Sequence, residues 1–98
     1  MDSPNFSWSE KKRQANLAKH GIDFKDVPAA FAGPSIDIYD AEHSESEERW
    51  RRLLWLNGEV VVVVYAEFGE AVRLISARPG NREETQVYLD QFLGDTAD

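Results

Sequence analysis

Hydrophobic positions along this chain follow two spacings, one typical of helices near both ends and one typical of strands in the middle. A short edge strand is expected at residues 6–8. It precedes a helix that either Ser7 or Ser9 can cap and that runs to about His20. Gly21 then suits the left-handed residue that commonly follows a helix end.

Two further helices are expected. Over residues 23–31, apolar side chains recur three and four positions apart, which predicts a second short helix. Asn81 can cap a last helix, REETQVYLDQFL. Its apolar residues, Val87, Tyr88 or Leu89, and Phe92, are expected to face a sheet.

Four strands are predicted between these helices, at residues 35–39, 49–56, 59–68 and 71–78. Asn-Gly at residues 57–58 is a strong hairpin signal, and short turns with glycine join the other strands. Three tight turns in succession predict an antiparallel meander.

The predicted order is therefore β-α-α-β-β-β-β-α, an α+β fold. Five consecutive valines, Val60–Val64, indicate burial on both faces and a central strand. Helices from both ends are expected to cover one face of the sheet, which leaves the other face or its rim for function. We expect a single domain over residues 1–98, with flexible tails at 1–5 and 94–98.

Composition narrows the classes of protein. The chain has no cysteine, which excludes a disulfide framework and thiolate metal sites. No apolar run is long enough to span a bilayer, and the N-terminus lacks the order of a signal peptide, so we expect a cytoplasmic protein with no membrane contact.

The net charge of −7 argues against nucleic acid as a partner, but its distribution weakens that argument. Six acidic residues and no Lys or Arg lie in DIYDAEHSESEE, residues 37–48, whereas the rest of the chain has 12 acidic and 11 basic residues. A local cationic surface is therefore compatible with an acidic molecule.

The end of the first helix has two interpretations. Lys19 and His20 lie where the helix dipole favours cations, so they can simply terminate the helix. Alternatively, Lys12, Asn16 and His20 recur every four residues and form one stripe at the edge of a site, although such a stripe is usually a solvated face. The two histidines lack metal-ligand spacing, and we expect no metal or cofactor.

Arginines on the predicted strands also have two interpretations. Glu47 and Arg49 are two residues apart and point to the same face, while Arg73 and Arg78 lie in the last strand. These arginines can form structural ion pairs with Glu47, Glu59 or Glu67, or they can line a cleft that holds phosphate. The residues alone indicate a small α+β domain with a candidate anion site.

Several segments follow one another along the chain: WSEKKRQANLAKHGIDF at residues 8–24, HSESEER at 43–49, the valine strand ending in YAE at 65–67, and RLISAR at 73–78, followed by REE at 82–84 and Tyr88. Together and in this order, these segments resemble BrnT-type toxins. The resemblance implies a RelE/ParE-like fold and a ribonuclease toxin that inhibits translation. It also implies a DNA-binding antitoxin, BrnA, so that DNA is contacted only through the antitoxin, with a heterotetramer as a possible assembly.

The resemblance implies RNA cleavage without a metal, in which the 2′-hydroxyl attacks the adjacent phosphorus. His20 is then the candidate general acid and Glu47 the candidate base. Arg49, Arg73 and Arg78 are the candidates for phosphate and transition-state contacts. The other residues expected to contact RNA are Lys12, Asn16, Lys19, Ser76, Arg82 and Tyr88.

Two departures from the family pattern keep an alternative open. Pro79-Gly80 and an acidic helix stand where the family continues with a basic run, and Ser9 stands at the family's capping aspartate. Since phosphate neutralisation supplies most non-specific binding to nucleic acid, RNA affinity is expected to be reduced. The alternatives are a binding module of toxin fold that holds the antitoxin and tunes operon repression, and an unrelated small α+β adaptor.

Overall fold

The computed structural model describes residues 5–44 and 47–94. In these residues the order of elements is β-α-α-β-β-β-β-α, which confirms the predicted order. The elements are β1 (Asn5–Ser7), α1 (Glu10–His20), a 3₁₀ turn (Phe24–Asp26), α2 (Val27–Phe31), β2 (Ser35–Tyr39), a second 3₁₀ turn (Ala41–His43), β3 (Trp50–Leu56), β4 (Glu59–Phe68), β5 (Ala71–Pro79) and α3 (Arg82–Phe92). Apart from Asn5 and Gly94, the tails expected to be flexible lie outside the described residues.

The strands form one five-stranded sheet in the order β1-β5-β4-β3-β2. Strands β2 to β5 are an antiparallel meander with β4 at the centre, as predicted. Asn57 and Gly58 make the β3–β4 turn with positive φ angles of 55° and 82°, the conformation that this dipeptide favours. Strand β1 is an edge strand but pairs parallel to β5, so the sheet is mixed.

Helices cover both faces of the sheet, and the prediction that they share one face was wrong. We call the side packed by α1 and α2 the covered face; there Val61, Val63 and Tyr65 lie in one cluster with Phe24 and Phe31. Because a five-valine strand is apolar on both sides, covering one side alone would leave half of its valines in water.

The opposite side, which we call the cleft face, is packed by α3. Val60 and Val62 lie there in a cluster with Tyr88 and Leu89. Of the α3 residues expected to face the sheet, Tyr88 and Leu89 do so, whereas Val87 and Phe92 are exposed.

A bulge changes the alternation of β5. Val64 pairs with Ser76 and Tyr65 pairs with Leu74, so Ile75 has no partner in β4. Residues five apart in a regular strand point to opposite faces. Here the bulge places both Arg73 and Arg78 on the cleft face.

Candidate active site

The cleft face contains a cleft of about 390 Å³, which is lined by residues of β3, β4 and β5 and of the segment that precedes β3. We call it the arginine cleft. Its polar lining includes Asp40, His43, Arg49, Arg51, Ser76 and Arg78.

Arg49 and Arg51 are two residues apart at the start of β3 and both line the arginine cleft. Within the described residues, the Nε atom of each is buried and has no hydrogen-bond partner. Arg49 Nε lies 3.5 Å from a carboxylate oxygen of Glu47, which is an ion-pair contact without hydrogen-bond geometry. Since a buried donor without a partner is costly, this pair of guanidinium groups is suited to an incoming anion.

Glu47 bridges two arginines at the edge of this cleft. Its carboxylate accepts a hydrogen bond from Arg73 as well as facing Arg49. Both Glu47 and Arg49 precede β3, so their expected placement on one strand face stays a prediction, but the structural ion pair foreseen between an arginine and Glu47 is present. Arg73 also lies 5.4 Å from the centre of the Phe68 ring.

Arg78 is held by a carboxylate from the first turn of α3. Its Nη1 and Nη2 atoms donate to the two oxygens of Glu84 at 2.8 and 2.9 Å. This bidentate bond is the main cause that lowers the pKa of Glu84, and it raises the pKa of Arg78. Both groups are therefore charged at neutral pH.

A histidine and an aspartate complete one wall of the arginine cleft. His43 Nδ1 lies 3.1 and 3.0 Å from the two carboxylate oxygens of Asp40, which is itself buried. The loop carrying them is fixed to β3, because the Asp40 N–H donates to the Arg49 carbonyl and the Ser44 hydroxyl accepts from the Arg49 N–H. With Nδ1 directed to Asp40, the Nε2 atom is the one available to a ligand.

The same loop offers candidate metal ligands. One ligand atom each from Asp40, Glu42 and His43 lies within 4.8 Å of the others. Two carboxylates and an imidazole can hold a divalent cation such as Mn²⁺ or Zn²⁺. Glu42 and His43 are exposed, and exposed acidic groups of this kind are common on protein surfaces.

The stripe expected along α1 does not reach the arginine cleft. Asn16 is buried; its amide donates to the carbonyls of Ile22 and Ala77 and accepts from the Ala77 N–H. These bonds tie α1 to β5 and occupy the side chain that was expected to contact RNA.

His20 is the last residue of α1 and is not among the residues that line the arginine cleft. It precedes Gly21 with φ 72°, as the interpretation of the pair as a helix end expects. Lys12 and Lys19 are exposed on the same helix. The roles proposed for these three cations remain predictions.

Two residues of α3 complete the expected set. Tyr88 is 5% exposed, donates its hydroxyl to the Pro34 carbonyl at 2.9 Å, and stacks with Trp55. This side chain therefore packs α3 onto the sheet. Arg82 is the exposed first residue of α3.

Arg51, His43 and Asp40 were missed as site residues. Arg51 was detectable, because it shares strand parity with Arg49. His43 was missed because its position depends on the short 3₁₀ turn of residues 41–43, which brings it beside Asp40.

The family model described as the ribonuclease toxin BrnT of type II toxin–antitoxin systems matches residues 8–84, more than three quarters of the chain. The match spans every residue of the arginine cleft as well as Glu84. No curated protein matches the sequence. Among the described residues, no helix has both the length and the apolar character needed to cross a membrane.

Proposed function

We propose that this chain, which belongs to the BrnT family of ribonuclease toxins of type II toxin–antitoxin systems, cleaves RNA in the arginine cleft without a metal ion. The observation that carries the proposal is that Arg49, Arg51, Arg78 and His43 line one cleft, in which two buried guanidinium Nε atoms have no hydrogen-bond partner among residues 5–44 and 47–94. Such a toxin acts on cytoplasmic RNA and thereby inhibits translation.

Phosphate binding is the first task of the arginine cleft. Guanidinium groups bind the non-bridging oxygens of a phosphodiester through two parallel N–H bonds, which also fixes the orientation of the phosphorus. Arg49 and Arg51 each offer an Nε donor that no group of the described part of the chain accepts, and Ser76 adds a hydroxyl in the same cleft. As the pentacoordinate phosphorane forms, its added negative charge is stabilised by the same donors.

Proton transfer completes the reaction. The 2′-hydroxyl loses its proton and bonds to phosphorus, the bond to the 5′-oxygen breaks, and that oxygen gains a proton, which yields a 2′,3′-cyclic phosphate and a 5′-hydroxyl end. We assign the proton donor to His43, oriented by Asp40, since it lines the cleft and His20 does not. Glu47, beside Arg49, remains our candidate for the base.

The experiment compares the two histidines of the chain. We expect His43→Gln to slow RNA cleavage by about 10²-fold or more with a nearly unchanged melting temperature, because the side chain is exposed. His20→Gln is the matched control and should cleave at the wild-type rate. The reverse result would return the donor role to His20, and wild-type rates in both variants would remove histidine from the mechanism.

A chelator tests metal independence in the same assay. Cleavage should persist in EDTA. If EDTA abolished cleavage and a divalent cation restored it in the wild type but not in Glu42→Gln, then Asp40, Glu42 and His43 would instead form a metal site.

A type II toxin has a cognate antitoxin, and we propose a BrnA-like, DNA-binding partner that carries a basic toxin-binding segment. The acidic stretch at residues 37–48, of which Glu45 and Ser46 lie outside the described residues, supplies a complementary field. Exposed Glu42 and Glu48 changed together to Gln should slow association several-fold at low salt and much less at high salt. An unchanged on-rate at low salt would exclude this stretch from steering.

The non-enzymatic alternative has its own observation. Arg73 and Arg78 are already paired with Glu47 and Glu84, and α3 lacks a basic run. In that case the cleft holds acidic groups of a partner and the chain tunes operon repression. Tight antitoxin binding by a purified protein that cleaves no RNA, with or without divalent cations, would favour this alternative.

A further inference from the structure

We infer that Glu84 competes with RNA phosphate for Arg78. Its carboxylate binds the edge of the guanidinium, formed by the two terminal nitrogens, that an incoming phosphate would use. RNA can engage Arg78 fully only after Glu84 withdraws. This inference rests on the proposed function only in naming RNA as the source of the phosphate.

The geometry of the contact supports competition. Both terminal nitrogens of Arg78 donate to Glu84, at 2.8 and 2.9 Å, in the parallel arrangement that a phosphate would also adopt. Within the described residues, Arg78 also donates from Nη1 to the carbonyl of Pro79 at 3.2 Å. A phosphate held by the two terminal nitrogens of Arg78 would therefore need the same atoms as the Glu84 carboxylate.

Glu84 is held in place by the start of α3. Its backbone N–H donates to the Asn81 side chain at 2.7 Å, and its carboxylate oxygen Oε1 accepts from the Asn81 N–H at 2.8 Å, so the two residues form a capping box. The same Oε1 atom accepts from Arg78. The helix N-terminus adds a favourable field for a negative charge. The carboxylate is thus fixed to the backbone beside the cleft, unlike a mobile surface partner of Arg78.

The charges around the arginine cleft show why this contact matters. Arg73 is paired with Glu47 and Arg78 with Glu84, whereas Arg49 and Arg51 each keep a buried Nε donor that has no hydrogen-bond partner in the described residues. Arg51 also lowers the pKa of Glu84 through its charge, which places that carboxylate within the field of the same cleft. RNA must therefore replace a carboxylate that is already well bound, and its affinity is reduced accordingly.

The test measures binding separately from cleavage. A short RNA with 2′-O-methyl groups, which cannot be cleaved by 2′-oxygen attack, is titrated into the wild type, Glu84→Gln and Glu83→Gln. Gln at position 84 preserves the size of the side chain and can still complete the capping box. Glu83→Gln removes the same formal charge from the neighbouring exposed position and measures the general electrostatic effect.

We expect Glu84→Gln to bind about tenfold more tightly at low salt, with a salt dependence steeper by about one phosphate contact. Glu83→Gln should show a much smaller gain, and adding Arg78→Met to Glu84→Gln should remove the gain. Equal affinities of the two Gln variants, or weaker binding by Glu84→Gln with an unchanged melting temperature, would overturn the inference.

Cleavage of unmodified RNA is followed in parallel, so that the two proposals fail separately. A gain in binding by Glu84→Gln without cleavage by any variant would reject the ribonuclease mechanism and leave the competitor role intact. Cleavage by the wild type without a gain in binding by Glu84→Gln would do the opposite.

Discussion

Arg51 and Arg52 are neighbours in β3, but they lie on opposite faces of the sheet and in opposite chemical environments. Arg52 donates to both oxygens of Asp37 at 2.7 and 2.8 Å and to the Phe31 carbonyl at 2.8 Å, and its guanidinium carbon lies 3.7 Å from the centre of the Phe31 ring. Arg51 lines the arginine cleft with a buried Nε atom that lacks any partner in the described residues.

The difference separates stability from function. A guanidinium whose three nitrogens all donate to groups of its own fold, as those of Arg52 do, has little left for a ligand, and removing it leaves a carboxylate without its partner. A guanidinium with a buried donor that lacks a partner lowers the stability of the fold, and a bound anion that accepts from this donor restores the lost stability. Adjacent residues of one strand meet these two conditions because strand side chains alternate between faces.

The largest effect that tests this comparison is expected from Arg51→Met. RNA cleavage should fall by about 10²- to 10³-fold, as for removal of one transition-state donor, while the free energy of unfolding changes little. Initial rates on RNA and a thermal melt measure the two quantities. A variant that melts much lower than the wild type would place Arg51 with Arg52 as a structural residue.

Arg52→Met should show the converse pattern. We expect a loss of about 2–3 kcal/mol in the free energy of unfolding, less than for a fully buried pair because Arg52 keeps some exposure. Cleavage per folded molecule should stay at the wild-type level. Asp37→Asn weakens the same pair from the other side and should also destabilise. A cleavage defect in folded Arg52→Met would break the proposed division between the faces.

Asn16→Ala tests the covered face in a second place. Its three bonds to backbone groups of Ile22 and Ala77 would be lost, and we expect a cost of about 2 kcal/mol measured by denaturant unfolding. RNA affinity of the folded variant should be unchanged. Weaker RNA binding at full folding would restore the contact with RNA predicted from the α1 stripe.

The smallest effect concerns pH. Burial raises the pKa of Tyr65 to about 12 from an ordinary value of 10.0. Above pH 10 the unfolded chain releases this proton while the folded chain retains it, so stability falls as pH rises from about 10 to 12. Between pH 9 and 11 the wild type should lose about 1 kcal/mol more than Tyr65→Phe does, measured by urea unfolding. Parallel pH profiles would show that Tyr65 does not titrate in this way.

Local rules predicted most elements, because each depends on neighbouring residues. The Asn57-Gly58 turn, the Asn81 cap and the strand of Val60–Val64 all follow from the conformations and burial that these residues favour. The side of the sheet on which α3 packs is different. It depends on how the chain leaves β5 after residues 79–80, and no periodicity within α3 encodes that direction.

The candidate site was predictable in part. Strand alternation predicted that Glu47 and Arg49 lie together, and they do form an ion pair, although both residues precede β3. It could not place His43, whose position depends on the bond to Asp40, nor exclude Asn16, a polar residue whose partners are backbone groups 6 and 61 residues away.

The bulge at Ile75 has a consequence for which changes of length β5 can tolerate. One extra residue reverses the parity of every position on one side of it, so an arginine five positions from another can serve the same surface. Deleting Ile75 would remove the bulge and reduce the spacing of the arginines to four, so regular alternation would still place both on the cleft face, whereas deleting a residue between them with the bulge kept would turn one of them toward the apolar core. Insertions or deletions in this strand should therefore leave both arginines on the cleft face in two cases only. In one, the spacing between the arginines stays odd and the bulge is kept; in the other, the spacing becomes even and the bulge is lost.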